Sequence, residues 1–325
     1  MKKLISITVS LLILALIYWQ IDFLGLIDVL ANSDLIWITL SLGMVIPITL
    51  TTGYRLQVLV PRDIDIGFLQ SSKLILLGSV LNMVLPSKMG DIAKAYFIRD
   101  TGKLSGTDSL SLVVFEKACD LLSLLLWCAF GLLLYPQKDL LFWAMTAVVL
   151  TGFTTVILLL NSSSFTSLFF KITKPLLPGK IEEKAQLLLG SWHNYRDYLM
   201  NESGRFTKVA SISVFIWFMH LFQIWLFILA INSWAPFVDN LALAPLSILA
   251  GLLPITFAGV GTRDAALIFF YQPYMAAPTA AALGLLCTSR YIMPALGGIP
   301  FLWSYSDIVK KVTGNSANLK MKDAE

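Results

Sequence analysis

The sequence is short of the groups that do chemistry in water. Two histidines in 325 residues leave little for acid–base work, and no nucleophile is paired with a base, so no enzyme is expected. Cysteine is equally sparse. Cys119, Cys128 and Cys287 all lie inside apolar runs, and their odd number and placement argue against a disulfide framework or a metal cluster. They read as packing residues, and neither a metal nor a cofactor is expected. Charge is the third shortage: 14% of the residues are Asp, Glu, Lys or Arg, against 57% hydrophobic and a mean hydropathy of +0.77. That balance, with several apolar stretches longer than a soluble core helix needs, describes a polytopic membrane protein. Little chain remains for a soluble catalytic domain, and no nucleic-acid partner is implied. The expected fold is therefore all-α: one integral membrane domain over 1–310, then a basic cytoplasmic tail, 311–325.

Some connections also lack positive charge, and this sets the orientation. The connection with Asp22, Asp28 and Asp34 has no Lys or Arg, nor has 232–240. By the positive-inside bias both are external. Arg55, Arg62 and Lys73 mark a cytoplasmic connection, as do Lys310, Lys311, Lys320 and Lys322 at the end. Lys2 and Lys3 precede an apolar run, Leu4 to Ile17, with no small-residue cleavage site after it. It reads as a retained first span, which places both termini in the cytoplasm. About six full spans follow from the pattern: 4–21, 34–60, 107–135, a return span ending near Asn161, 207–232 and 278–304.

Two further apolar segments are too short to cross. From about Leu74 to the break at Pro86 a helix rises about 18 Å, against a hydrocarbon core of roughly 30 Å. The run from Leu241 to Leu253 gives about 20 Å by the same rise. The first is flanked by Lys73 on one side and by Lys88, Lys94, Arg99 and Lys103 on the other, so both its ends are cytoplasmic. The second enters from outside and returns to Gln272 and Tyr274. Both read as re-entrant broken helices. The halves 34–135 and 207–304 then share one plan with opposite sidedness, the inverted repeat from which alternating access is commonly built. Between them, 162–206 places Leu187, Leu188, Trp192, Tyr195 and Leu199 at helical spacing among Lys and Arg. It reads as a cytoplasmic amphipathic helix on the membrane surface or, as readily, a linker docked under the bundle.

After each break a new helix is expected, capped near Ser87 and near Thr262. Each start offers unpaired backbone N–H groups and a positive dipole end where water is scarce. An anion satisfies both, and Lys88, Lys94 and Arg263 add full charge, so a phosphate is the natural ligand. Gly90, Gly259 and Gly261 allow close backbone approach or a bend. The plainer account makes the prolines and glycines mere helix breakers, with Lys94 and Arg99 as boundary markers. Glu116 and Asp120, four apart on one face, lie in an otherwise apolar span, with Asp120 about 15 Å from its entry at Leu110. Arg290 is similarly deep in the last span. Insertion scales charge roughly 2.5–3.5 kcal/mol for each such group at a helix centre. They serve either as structural pairs, Asp120 or Glu116 with Arg290, Arg263 or Lys117, or as the lining of a polar cavity.

Three motifs occur in order: Asn82, Leu85-Pro86, Gly90-Asp91 and Lys94; Glu116-Lys117 and Asp120; Leu253-Pro254, Gly259, Gly261 and Arg263-Asp264. Over most of the chain they resemble the lysylphosphatidylglycerol synthase transmembrane family, the flippase-like membrane domain. Family members commonly have Arg at the positions of Lys94 and Lys117 and Glu at that of Asp264. The residue reading and the resemblance together give an expected substrate site drawn from Asn82, Pro86, Lys88, Gly90, Asp91, Lys94, Glu116, Asp120, Gly259, Gly261, Arg263, Asp264 and Arg290, of which Lys88 and Arg290 come from the residue reading alone. The resemblance also implies translocation of an anionic phospholipid, aminoacyl-phospholipid or polyprenyl-phosphate lipid between leaflets of a bacterial or archaeal plasma membrane. In the family's synthases an aminoacyltransferase domain follows; with the sequence ending at Glu325, the expectation is the translocating part alone. A carrier of a small anion coupled to protons, and an accessory subunit of an envelope-lipid enzyme, are the competing expectations.

Overall fold

A computed structural model of the chain describes residues 22–302, apart from 63, 65, 85–89, 101–103, 174–184, 203 and 253–260. A backbone in hydrocarbon must satisfy its own N–H and C=O groups, and helices do this within one segment. The described elements are accordingly helical: α1 Phe23–Ala31, α2 Leu35–Gly43, α3 Val45–Leu59, α4 Phe68–Val84, α5 Gly90–Asp100, α6 Gly106–Leu134, α7 Leu140–Asn161, α8 Ser163–Thr173, α9 Ala185–Asn201, α10 Arg205–Ala230, α11 Phe237–Gly251, α12 Thr262–Tyr271 and α13 Ala277–Gly298. A 3-10 turn, Ile299–Phe301, continues α13.

Five segments are long and apolar enough to cross a membrane: Leu35–Leu59, Gly106–Leu134, Leu140–Asn161, Arg205–Ala230 and Ala277–Phe301. They coincide with five of the six expected spans; the first, 4–21, and the tail, 311–325, lie outside the described residues. One helix was not foreseen. The stretch expected to be a bare external connection carries α1, closed by Asn32, whose Nδ2 donates to the Asp28 backbone oxygen at 2.9 Å and to Asp28 Oδ1 at 2.8 Å. Asp34 then caps α2, its Oδ1 accepting from the Ile36 N–H at 2.8 Å.

The chain divides into two compact units. Unit one holds the described residues up to Ile48 with Ala118–Asn161 and Ala210–Tyr291; unit two holds Thr49–Lys117, Ser162–Val209 and the described residues from Ile292. Four of the five boundaries fall inside α3, α6, α10 and α13, so these helices contribute to both units, and the fifth falls between α7 and α8. Each unit takes one of the two short-helix pairs, α11 with α12 in unit one and α4 with α5 in unit two, and the members of each pair lie against each other.

In unit one the pair is tied by buried polar groups rather than by apolar contact alone. Asn240 Nδ2 donates to the Leu221 carbonyl of α10 at 2.9 Å, and its Oδ1 accepts from the Tyr271 hydroxyl of α12 at 2.8 Å. Gln223 Nε2 in α10 donates to the Ser41 carbonyl of α2 at 2.8 Å. A membrane interior gives such groups no water to fall back on, so each bond fixes one helix register against another.

In unit two, α9 is held by protein. Trp192, Tyr195 and Leu199 are buried, the rings of Trp192 and Tyr195 lie 5.9 and 5.7 Å from that of Phe115, and the Tyr195 hydroxyl donates to the Leu59 carbonyl at 2.7 Å. This face of α9, at least, is covered by protein. Helical spacing of apolar residues says that a face is covered, not by what.

Candidate functional site

In unit two the site is built where α5 begins. Gly90, its first residue, sits so close to α4 that a Cβ there would clash with the Gly78 carbonyl oxygen and the Asn82 backbone nitrogen and stand 2.8 Å from Asn82 Oδ1, which is why no larger residue fits. That Asn82 oxygen is buried and accepts no hydrogen bond among the described residues. Asp91 occupies the first turn of α5, the favourable end for a carboxylate, and pairs with Lys117 of α6 at 3.2 Å. Both side chains keep contact with solvent, so that pair contributes little.

One turn further, Lys94 is 2% exposed and its ammonium binds Glu116 Oε2 of α6. Arg55 of α3, also 2% exposed, places Nη2 at 2.8 Å from Glu116 Oε1. Glu116 itself is 1% exposed, and each of its oxygens takes one cation. Two cations, from α3 and α5, therefore converge on this carboxylate of α6.

In unit one the site is built where α12 begins. Gly261 has φ 99°, a conformation that suits glycine, and its N–H donates to Asp264 Oδ2 at 3.0 Å. This is the returning half of a capping box; glycine has no side chain to supply the other half. The second oxygen, Oδ1, accepts from Arg263 Nε at 3.0 Å and Nη2 at 2.6 Å. Arg263 Nη2 also reaches α13, at 2.9 Å from the Gly284 carbonyl and 2.7 Å from Thr288 Oγ1. Gly284 and Thr288 are four apart, hence on one face, and a Cβ at 284 would stand 2.8 Å from Asp264 Oδ1. Arg263 is thus buried, at 5% exposure, with a carboxylate, a carbonyl and a hydroxyl around it.

Arg290, further along α13, is buried to the same degree, at 6% exposure, with a different outcome. Its Nη2 donates to the neighbouring Tyr291 hydroxyl at 3.1 Å. Its Nε and Nη1 are buried and meet no acceptor among the described residues. Cys287, one turn earlier on α13, lies in the electrostatic field of Arg263, Asp264 and Arg290, which places the three in one neighbourhood.

The expected residues therefore separate. Asn82, Gly90, Asp91, Lys94 and Glu116 gather in unit two; Gly261, Arg263 and Asp264 gather in unit one with Arg290 nearby. Asp120, a turn beyond Glu116, belongs to unit one and is half-buried. Pro86, Lys88 and Gly259, with Ser87 as a cap, lie outside the described residues.

The expected structural pairings of Glu116 and Arg263 need correction. Glu116 is matched with Arg55 and Lys94, Lys117 with Asp91, and Arg263 with the residue next to it. Thr262 is the first helical residue of α12 and the cap is Gly261. Sequence reasoning missed Arg55, which it took for a boundary marker; α3 runs on to Leu59 and buries Arg55 a turn before its end. It also missed Gly284 and Thr288, whose only sequence signal is a small residue and a hydroxyl at four-residue spacing in an apolar span. Among the described residues no group of three His, Cys, Asp or Glu could hold a metal ion.

Residues 3–298 match the family model described as the lysylphosphatidylglycerol synthase TM region. The chain is also similar to a UPF0104 membrane protein of Methanocaldococcus jannaschii, at 24% identity over 328 residues that cover 95% of this chain and 97% of that protein. The match spans all five membrane-crossing segments up to Gly298 and both buried ionic clusters. The protein is a multi-pass membrane protein and belongs to the lysylphosphatidylglycerol synthase transmembrane-region family.

Proposed function

We propose that this protein moves a lipid with an anionic, phosphate-bearing headgroup between the leaflets of a plasma membrane, with both termini in the cytoplasm. The observation that carries the reading is an excess of buried positive charge in apolar helices. Unit one holds Arg290 near an Arg263 already matched by Asp264, and two of the Arg290 guanidinium nitrogens meet no acceptor among the described residues. By helix rise, Arg290 lies about 20 Å into α13, far from either end of that span. Buried cations left over after internal pairing are costly in lipid and are kept where an anion passes. The tails of such a lipid stay in hydrocarbon, so only the headgroup needs a polar path.

The test is a leaflet-exchange assay in proteoliposomes of defined lipid, with fluorescent phospholipids reduced from outside. Exchange of anionic phospholipid above protein-free vesicles is the expected result. Uptake of a water-soluble anion with no lipid exchange would select a small-anion carrier instead. No transport of either kind, with a stable partner enzyme on purification, would select an accessory subunit.

A further inference from the structure

The buried ions differ in how completely they are matched. Lys94 has Glu116, and Arg263 has Asp264, Gly284 and Thr288. Among the described residues Arg290 has Tyr291, whose hydroxyl accepts from Nη2 and whose ring centroid lies 5.1 Å from the guanidinium carbon, and its Nε and Nη1 carry N–H donors that meet no acceptor. A hidden carboxylate does not resolve this within unit one. Residues 253–260, the undescribed stretch between α11 and α12, contain no Asp or Glu, and neither do residues 1–21. The guanidinium cannot shed its proton, so it remains charged and short of partners in a dry place.

We propose that Arg290, and not Arg263, is the residue of unit one that binds the translocated headgroup, and that its ligand is a singly charged phosphate oxyanion. The assignment rests on the lipid-translocation reading above. Arg263 is excluded by its own bonds: Nε and Nη2 lie along Asp264, and Nη2 is further engaged by α13. Freeing it for a phosphate would strand Asp264. Arg290 needs no such exchange. The bond from Nη2 to Tyr291 fixes the guanidinium plane, and the free N–H groups supply two or more charge-assisted donors to phosphate oxygens. One unmatched guanidinium balances one negative charge, as on a phosphodiester; a phosphomonoester dianion would leave a charge uncompensated in hydrocarbon.

The test is solid-state NMR of protein with 15N-labelled arginine, reading dephasing of guanidinium nitrogen by 31P. Wild type, Arg290→Gln and Arg290→Lys are compared after chromatography and circular dichroism confirm that each is folded. In phosphatidylglycerol vesicles, wild type should show a buried guanidinium dephased by phosphorus that is missing from the Arg290→Gln spectrum. In phosphorus-free galactolipid vesicles with inorganic phosphate added, that dephasing should be absent. Dephasing restored by inorganic phosphate alone would overturn a lipid headgroup as the source. Identical wild-type and Arg290→Gln spectra in phosphatidylglycerol would overturn the assignment. Leaflet exchange on the same samples separates the two levels: dephasing without exchange keeps Arg290 as a ligand and overturns translocation. Exchange in wild type that continues unchanged in Arg290→Gln overturns the role of Arg290 and leaves the function standing.

Discussion

In unit two a lysine from the second helix of the short pair, Lys94 of α5, reaches a carboxylate on the span that follows, Glu116 of α6. In unit one an arginine at the same stage, Arg263 of α12, takes the carboxylate beside it, Asp264, and finds on the following span only the Gly284 carbonyl and the Thr288 hydroxyl. The following span sets the difference: α6 brings an acid into the cluster, and α13 brings another base, Arg290. One cluster shares an internal anion between two cations; the other leaves a cation over. Similar helix pairs can therefore close one ionic site and keep another open, according to a single residue contributed from outside the pair.

The largest effect is expected where the internal anion is removed. Glu116→Gln removes the buried carboxylate on which Arg55 and Lys94 converge and should destabilise by about 3–5 kcal/mol. Thermal unfolding in detergent measures it. The double variant Arg55→Gln, Glu116→Gln should cost less than the sum of the singles, because the charges that repel in one are relieved in the other. Asp264→Asn should cost less, about 1.5–3 kcal/mol, because Arg263 keeps the Gly284 carbonyl and Thr288 hydroxyl. Equal losses at Glu116 and Asp264 would erase the distinction between the clusters. Thr288→Val removes one hydroxyl from the open cluster and should cost about 1 kcal/mol in the same measurement.

How much of this was legible in the sequence depends on the range of the interaction. The short helices α4, α5, α11 and α12 and the charged residues near their ends are local features, and the runs of apolar and charged residues are enough to find them. Partner choice is not local. Glu116 and Arg55 are separated by 61 residues, and no pattern in either segment points to the other. Arg55 was also disguised by its position, since a cation near the end of an apolar run looks the same as a boundary marker. Thr288 and Gly284 carry no charge, so a search for costly groups passes over them. The face of α9 was visible as Trp192, Tyr195 and Leu199, but periodicity does not distinguish lipid from Phe115 as its cover.

The smallest effect is expected on α9, away from both clusters. Burial first, then the charge of Arg196, hold the His193 imidazole below its ordinary value of 6.5, with Asp197 opposing. A base with a depressed folded value binds fewer protons folded than unfolded. Its neutral form costs the fold nothing above pH 6.5, and stability is lost as pH falls through 6.5 towards the folded value. The protection factors of α9 amides, which take out the intrinsic pH dependence of exchange, should fall modestly from pH 7.5 to 5.5, and the fall should shrink in His193→Gln.

The comparison between a closed and an open cluster is tested most directly by ligand-induced stabilisation, since a ligand that binds the folded state raises its unfolding midpoint with concentration. Phosphatidylglycerol added to wild type in neutral detergent should raise the midpoint. The rise should persist in Arg55→Gln, where the variant's own midpoint falls but Arg290 is intact, and it should vanish in Arg290→Gln. An undiminished rise in Arg290→Gln, or its loss in Arg55→Gln alone, would contradict the account.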